Sequence, residues 1–109
     1  EVLLAEQGEV VVGLCLFFYN FSSWRGELGV YIQDLVVDSD VRASGIGRLL
    51  VRETARYAVG QGATHLRLSV DRDNHEAMRF YEKIGLQESA DENIFAAYDG
   101  DFVNLVEGV

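Results

Sequence analysis

The sequence predicts an α/β (α+β) fold, a mixed, mainly antiparallel twisted sheet flanked by helices. Three observations predict it. Short apolar or β-branched runs fill the chain from Val2 to Val37. Two stretches of helical periodicity follow, starting near Gly45 and Asn74. A further alternating segment, Leu66 to Asp71, lies between them, and helices interleaved with strands pack on a sheet. With 109 residues the chain is long enough for one core, so residues 1–109 are read as a single domain.

Val2 to Glu6 reads as a strand, Gln7-Gly8-Glu9 as a tight turn and Val10 to Phe18 as a second strand, together an antiparallel hairpin. Asn20 to Gly29, rich in Ser and Gly, reads as a loop, and Val30 to Val37 as a third strand ended by Asp38-Ser39-Asp40. A helix is expected from Gly45 to about Val59, with Ile46, Leu49, Leu50 and Tyr57 on its apolar face. Arg48, Arg52 and Arg56 make a solvated row at i, i+4 spacing, and Gly60 and Gly62 stop the helix. Asn74 caps a second helix in which Ala77, Phe80, Tyr81 and Ile84 share a face, and Gly85 ends it. Leu86 to Glu88 and Ile94 to Tyr98 are expected to be late strands, and Asp101 to Val106 a short helical turn. Glu1 leads almost at once into the apolar run Val2–Ala5, so an N-terminal segment is expected to be missing.

A formal net charge of −9 argues against nucleic acid, which needs a basic footprint, and suits a cationic small molecule or simple solubility. No apolar run approaches the roughly 20 residues that cross a bilayer, so no membrane partner is expected. The single cysteine, Cys15, sits among Leu14, Leu16 and Phe17 and reads as a buried structural thiol; its lack of a partner fits a reducing, cytoplasmic setting. His65 and His75 have no metal-ligand spacing, and no metal is expected.

The segment Arg42-Ala43-Ser44-Gly45-Ile46-Gly47 joins a Val-rich strand to a helix. The first amides of a helix lack internal partners, and the helix dipole adds positive charge there, so this turn reads as a ready anion site, the other reading being plain turn chemistry. Lys and Ser/Thr do not follow the second glycine, which excludes the P-loop pattern. The third glycine of the dinucleotide fingerprint is replaced by Leu50.

The remaining pattern, Arg-x-x-Gly-x-Gly on Arg42, Gly45 and Gly47, resembles the pyrophosphate-binding turn of the GNAT N-acetyltransferase superfamily. Asn74-His75-Glu76-Ala77-Met78-Arg79-Phe80-Tyr81-Glu82-Lys83-Ile84-Gly85-Leu86 resembles that family's second signature, Asn-x-x-Ala-x-x-Phe-Tyr-x-Lys-x-Gly-Phe, at the expected distance. The resemblance implies the GNAT acyl-CoA acyltransferase fold, here without its first strand and helices. It also implies acetyl-CoA as acetyl donor, with the amides of Arg42, Ala43, Ser44, Gly45, Ile46, Gly47 and Arg48 around the pyrophosphate. The backbone of Leu35, Val36 and Val37 would pair with the pantetheine arm, Asn74 would bond that arm, and Tyr81 would be the general acid for the departing thiolate. The other reading of Tyr81 is core packing beside Phe80.

Val30-Tyr31-Ile32-Gln33-Asp34-Leu35 resembles the diamine acetyltransferase branch, which covers spermidine/spermine and thialysine acetyltransferases and typically reads Leu-Tyr-Leu-Glu-Asp-Leu there. Gln33 replaces the acid, and an amide accepts no proton near neutral pH but can orient a water. Asp34 is expected to point away from the site unless a bulge turns it. Trp24 and Asp34 are the expected acceptor-side residues. The resemblance implies transfer to a small primary amine such as a diamine or polyamine, and a homodimer. Protein N-terminal or lysine acetylation, and a non-catalytic acyl-CoA sensor, remain the alternatives.

Overall fold

The computed structural model describes residues 1–23, 25–89 and 95–108. They divide into two units, Glu1–Arg79 and Phe80–Val109. In the first, four strands lie in the order β1 (Val2–Gln7), β2 (Val10–Ser22), β3 (Glu27–Val37) and β4 (His65–Leu68). The first three are antiparallel neighbours, while β3 and β4 run parallel. β1 and β2 form the expected hairpin, with Gln7 opposite Val10 across the turn Gly8-Glu9.

β2 and β3 are longer than their composition suggests. The expected loop over Asn20–Gly29 is largely ladder: Asn20 pairs with Gly29, Phe21 with Leu28 and Ser22 with Glu27. Flanking apolar pairs carry the strands through residues that by themselves favour a loop. The connection contracts to residues 23–26, where the Ser22 hydroxyl accepts from Arg25 N at 3.1 Å and Gly26 N donates to Ser22 O at 2.7 Å.

Helix α1 (Ile46–Gly60) crosses one face of this sheet. Its buried residues are Gly47, Leu50, Val51, Thr54 and Ala58, a stripe rotated from the expected one; Leu49 and Tyr57 are 47% and 44% exposed. The small members of the stripe bring the helix close to the sheet. At Gly13 a Cβ would stand 3.0 Å from Leu50 Cδ1 and 3.1 Å from Val36 O, so any larger residue would push α1 outward. Cys15, Phe17, Val30 and Ile32 complete this core, and Phe17 meets the Tyr57 ring edge-on at 6.1 Å. Burial pushes the Cys15 thiol pKa up, and a contact with the Thr54 hydroxyl offsets part of that rise. Thr54 Oγ1 is buried and has no hydrogen-bond partner of standard geometry among the described residues.

Helix α2 (His75–Lys83) has no buried residue, and Asn74 Oδ1 accepts from Ala77 N at 3.1 Å at its start, as expected of a cap. The second unit contains the end of α2 and α3 (Asp99–Glu107), longer than the expected turn. The expected late strands are not found: Leu86–Glu88 and residues 95–98 are irregular, with no ladder partner among the described residues, and Ile94 lies outside them. No helix among the described residues is long and apolar enough to cross a membrane.

Candidate active site

After Val37 the chain leaves the sheet through Asp38, whose amide donates to Val12 O at 2.7 Å. Asp38 Oδ1 accepts from Asp40 N at 3.0 Å and caps a 3-10 helix, Ser39–Ser44. Arg42 Nε donates to Val37 O at 3.3 Å, and the Ser44 hydroxyl donates to Val41 O at 2.5 Å. Two of the predicted turn residues thus hold the turn's shape from within. Gly45 then reverses the chain at φ +86°, ψ +8°, the left-handed region that favours glycine, and serves as both the end of the 3-10 helix and the N-cap of α1. Leu49 N bonds Gly45 O at 3.0 Å, so the helix ladder starts there. Ile46, Gly47 and Arg48 precede it, and helix geometry gives their amides no partner within α1. A Cβ at Gly45 would meet nothing within 4 Å. The run Arg42–Arg48 is therefore a glycine-capped turn that opens α1, with Arg42 itself bonded to the end of β3.

The strand leading into this turn is half paired. β3 is flanked by β4 only from Gly29 to Ile32, opposite His65 to Leu68. From Gln33 to Val37 it keeps β2 on one side and has no strand partner on the other among the described residues. Leu35, Val36 and Val37 thus lie on an open edge that an extended ligand can join as a strand. The edge begins at a bulge: Leu16 pairs with Asp34 and Phe17 with Ile32, which leaves Gln33 as the extra residue. The bulge settles the direction of Asp34. Cys15 and Phe17, with their partners Leu35 and Ile32, face α1; Leu16 and Phe18, with Asp34 and Tyr31, take the other face. Gln33 and Asp34 are both exposed where β3 and β4 part.

Asn74 follows β4 in the same unit, and its side-chain oxygen is engaged by the α2 cap. Tyr81 is in the other unit, half-buried, with its ring 5.2 Å from that of Phe80 and its carbonyl accepting from Leu86 N at 2.9 Å. Trp24 lies outside the described residues.

A polar cluster at the opposite end of β3 went unread in the sequence. Glu27 Oε2 accepts from the Thr64 hydroxyl at 2.8 Å and from Arg25 Nε at 3.2 Å, and His65 Nδ1 stands 4.0 Å away. The Thr64 hydroxyl first, then Arg25, lowers the Glu27 pKa from 4.5. These residues tie the start of β3 to β4 and account for His65 as a structural residue. A second contact, Tyr31 Oη to Ser69 Oγ at 2.7 Å, joins residues 38 apart, and no local pattern announces it. No cluster of three His, Cys, Asp or Glu able to hold a metal occurs among the described residues.

Comparison with known proteins bears on this geometry. The family described as acetyltransferase (GNAT) family matches residues 1–86. A thialysine N-epsilon-acetyltransferase of Bos taurus is 35% identical over 82 residues, which are 75% of this chain and 48% of that protein. An L-ornithine N5-acetyltransferase of Arabidopsis thaliana is 37% identical over 78 residues, 72% of this chain and 34% of that one. The chain thus spans about half the length of the first relative and a third of the second. Among solved structures, an integron cassette protein from the mobile metagenome of V. cholerae superposes with a TM-score of 0.89 at 24% identity, over 97% of this chain and 65% of that one, a likeness of fold. With most of its length matched by one family and its fold shared with a known structure, the chain belongs to the acetyltransferase (GNAT) family.

Proposed function

We propose that this chain is a single acetyltransferase domain, 1–109, that binds acetyl-CoA and transfers its acetyl group to the primary amine of a small cationic molecule. The observation that carries the reading is the junction of two backbone features, a strand edge without a strand partner among the described residues and a helix N-terminus. The open β3 edge over residues 33–37 is joined by Asp38 and the 3-10 helix Ser39–Ser44 to the N-terminus of α1 at Gly45. The first suits the amide-bearing pantetheine arm, and the second suits the pyrophosphate. The glycine at the cap, with free space where a Cβ would sit, fits a diphosphate at that position.

Bound there, acetyl-CoA supplies an activated acetyl thioester. The amides of Ile46, Gly47 and Arg48 and the remaining guanidinium nitrogens of Arg42 would hold the pyrophosphate; the edge at Leu35, Val36 and Val37, with Asn74, would hold the arm. The Tyr81 hydroxyl would deliver a proton to the leaving sulfur, because phenol and thiol have comparable pKa values. Gln33, at the bulge, would orient a water that carries away the amine proton, and the Asp34 carboxylate would draw a cationic acceptor to the face opposite α1. A net charge of −9 and the relatives named for thialysine and L-ornithine support such an acceptor, of diamine, polyamine or amino-acid type. A cytoplasmic location and a homodimer belong to the same proposal.

The presence of Gln33 favours one second reading, an acyl-CoA sensor without turnover. Mixing the protein with acetyl-CoA, a panel of amines and a thiol reagent separates the two. Amine-dependent thiol release that drops by at least about tenfold in Tyr81→Phe, with acetyl-CoA affinity retained, supports the enzyme. Tight binding without amine-dependent release supports the sensor, and unchanged turnover in Tyr81→Phe refutes the acid assignment.

A further inference from the structure

The β3–β4 ladder ends at Ile32 opposite Leu68. On β3 the next residue is the bulge residue Gln33; on the other chain segment the next is Ser69, already outside β4. The two segments part there as a fork. Across its vertex the Tyr31 hydroxyl donates to Ser69 Oγ at 2.7 Å. Tyr31 stands beside Arg67 in the parallel register, so Ser69 is its diagonal neighbour two residues on, a span that an aromatic side chain reaches. The Tyr31 ring is fixed from the other side as well: it leans on its cross-strand partner Phe18, with centroids 5.2 Å apart and planes inclined by 32°. One side chain thus connects β2, β3 and the end of β4 at the point where backbone pairing stops.

We propose that the Tyr31–Ser69 hydroxyl pair is a positioning latch: it holds the fork between β3 and β4 at a fixed spacing and closes the inner end of the lane that an acyl-pantetheine arm enters. The inference rests on the proposed function, since the lane is the unpaired β3 edge beyond Ile32. A hydroxyl pair in contact with water contributes little to stability, so its effect falls on the geometry of the fork. Neither hydroxyl touches the proton inventory assigned to Tyr81 and Gln33. The latch sets where the thioester stops relative to the amine, and misplacement of reacting groups by a fraction of an ångström lowers turnover without abolishing binding.

The test is a cycle of Tyr31→Phe, Ser69→Ala and the double variant, with Ser69→Thr as the variant that keeps a hydroxyl. Thiol release is measured at saturating acetyl-CoA and amine, coenzyme A affinity by calorimetry, and thermal midpoints by circular dichroism. The expected result is a loss of about tenfold in kcat for each single variant, and no further loss in the double variant. Coenzyme A affinity stays within about twofold, thermal midpoints are unchanged and Ser69→Thr retains turnover. Unchanged kcat in both single variants, or losses that multiply in the double variant, overturns the latch while leaving acetyl transfer intact. If the unaltered protein releases no thiol with any amine, the acetyltransferase reading fails and the latch falls with it.

Discussion

Replacing Gly45 by alanine separates the backbone requirement of its turn from the proposed ligand requirement. At φ +86° and ψ +8° an L-residue is strained by about 1–2 kcal/mol. Alanine recovers about 0.4–1 kcal/mol of that by restricting the unfolded chain. No clash adds to the loss, because a Cβ there meets nothing within 4 Å. The net is a destabilisation of about 1 kcal/mol, which lowers the thermal midpoint of a chain of this size by about 4–8 °C. On the proposed function, affinity for coenzyme A falls further than this strain implies, since the strained cap would disturb the turn assigned to the pyrophosphate. Affinity for pantetheine, which lacks the pyrophosphate, stays unchanged. Melts followed by circular dichroism and paired calorimetric titrations with coenzyme A and pantetheine read both effects. An alanine variant as stable as the original, or one that binds both ligands with unaltered affinity, refutes the reasoning.

Cys15 is fully buried with a raised pKa, so native protein should react with a thiol reagent only as fast as it opens, and labelling should accelerate in denaturant; rapid stoichiometric labelling of the native state contradicts this. Glu27 has a lowered folded pKa, so its stabilising contribution is present above the unfolded value near 4.5 and is lost as pH falls through the folded value. Glu27→Gln should therefore be less stable than the original in urea at neutral pH and nearly equal to it in strong acid; a gap independent of pH contradicts the assignment. Leu50→Ala, at a site 4% exposed against Gly13, should cost about 2–5 kcal/mol in urea unfolding, and a cost under about 1 kcal/mol would place the α1 contact elsewhere.

Much of the site was legible because it is local. The turn assigned to the pyrophosphate is a run of seven residues whose glycine at position 45 states its own backbone geometry, and the Asn74 cap is a bond to a residue three positions on. What the sequence concealed is set by pairing between distant segments. The composition of Asn20–Gly29 reads as loop, yet Phe21 opposite Leu28 keeps both strands in the sheet. The bulge at Gln33 reverses the face that strict alternation assigns to Asp34, and only the ladder with β2 reveals it. The buried stripe of α1 was misassigned because hydrophobicity alone favours Leu49 and Tyr57. The buried stripe instead joins the small residues Gly47, Thr54 and Ala58 to Leu50, which packs on Gly13. The expected strands after Gly85 failed for a related reason, since an apolar run becomes a strand only beside a partner. The Glu27–Thr64 and Tyr31–Ser69 contacts span 37 and 38 residues, beyond the reach of any periodicity.

On the proposed function, one continuous ligand lies along the β3 edge and into the start of α1. Backbone amide resonances read it most directly, in parallel titrations with coenzyme A and with pantetheine. Both ligands should shift the amides of Leu35, Val36 and Val37, and only coenzyme A those of Gly45, Ile46, Gly47 and Arg48. Coenzyme A binding that leaves the Gly45–Arg48 amides unmoved would contradict it.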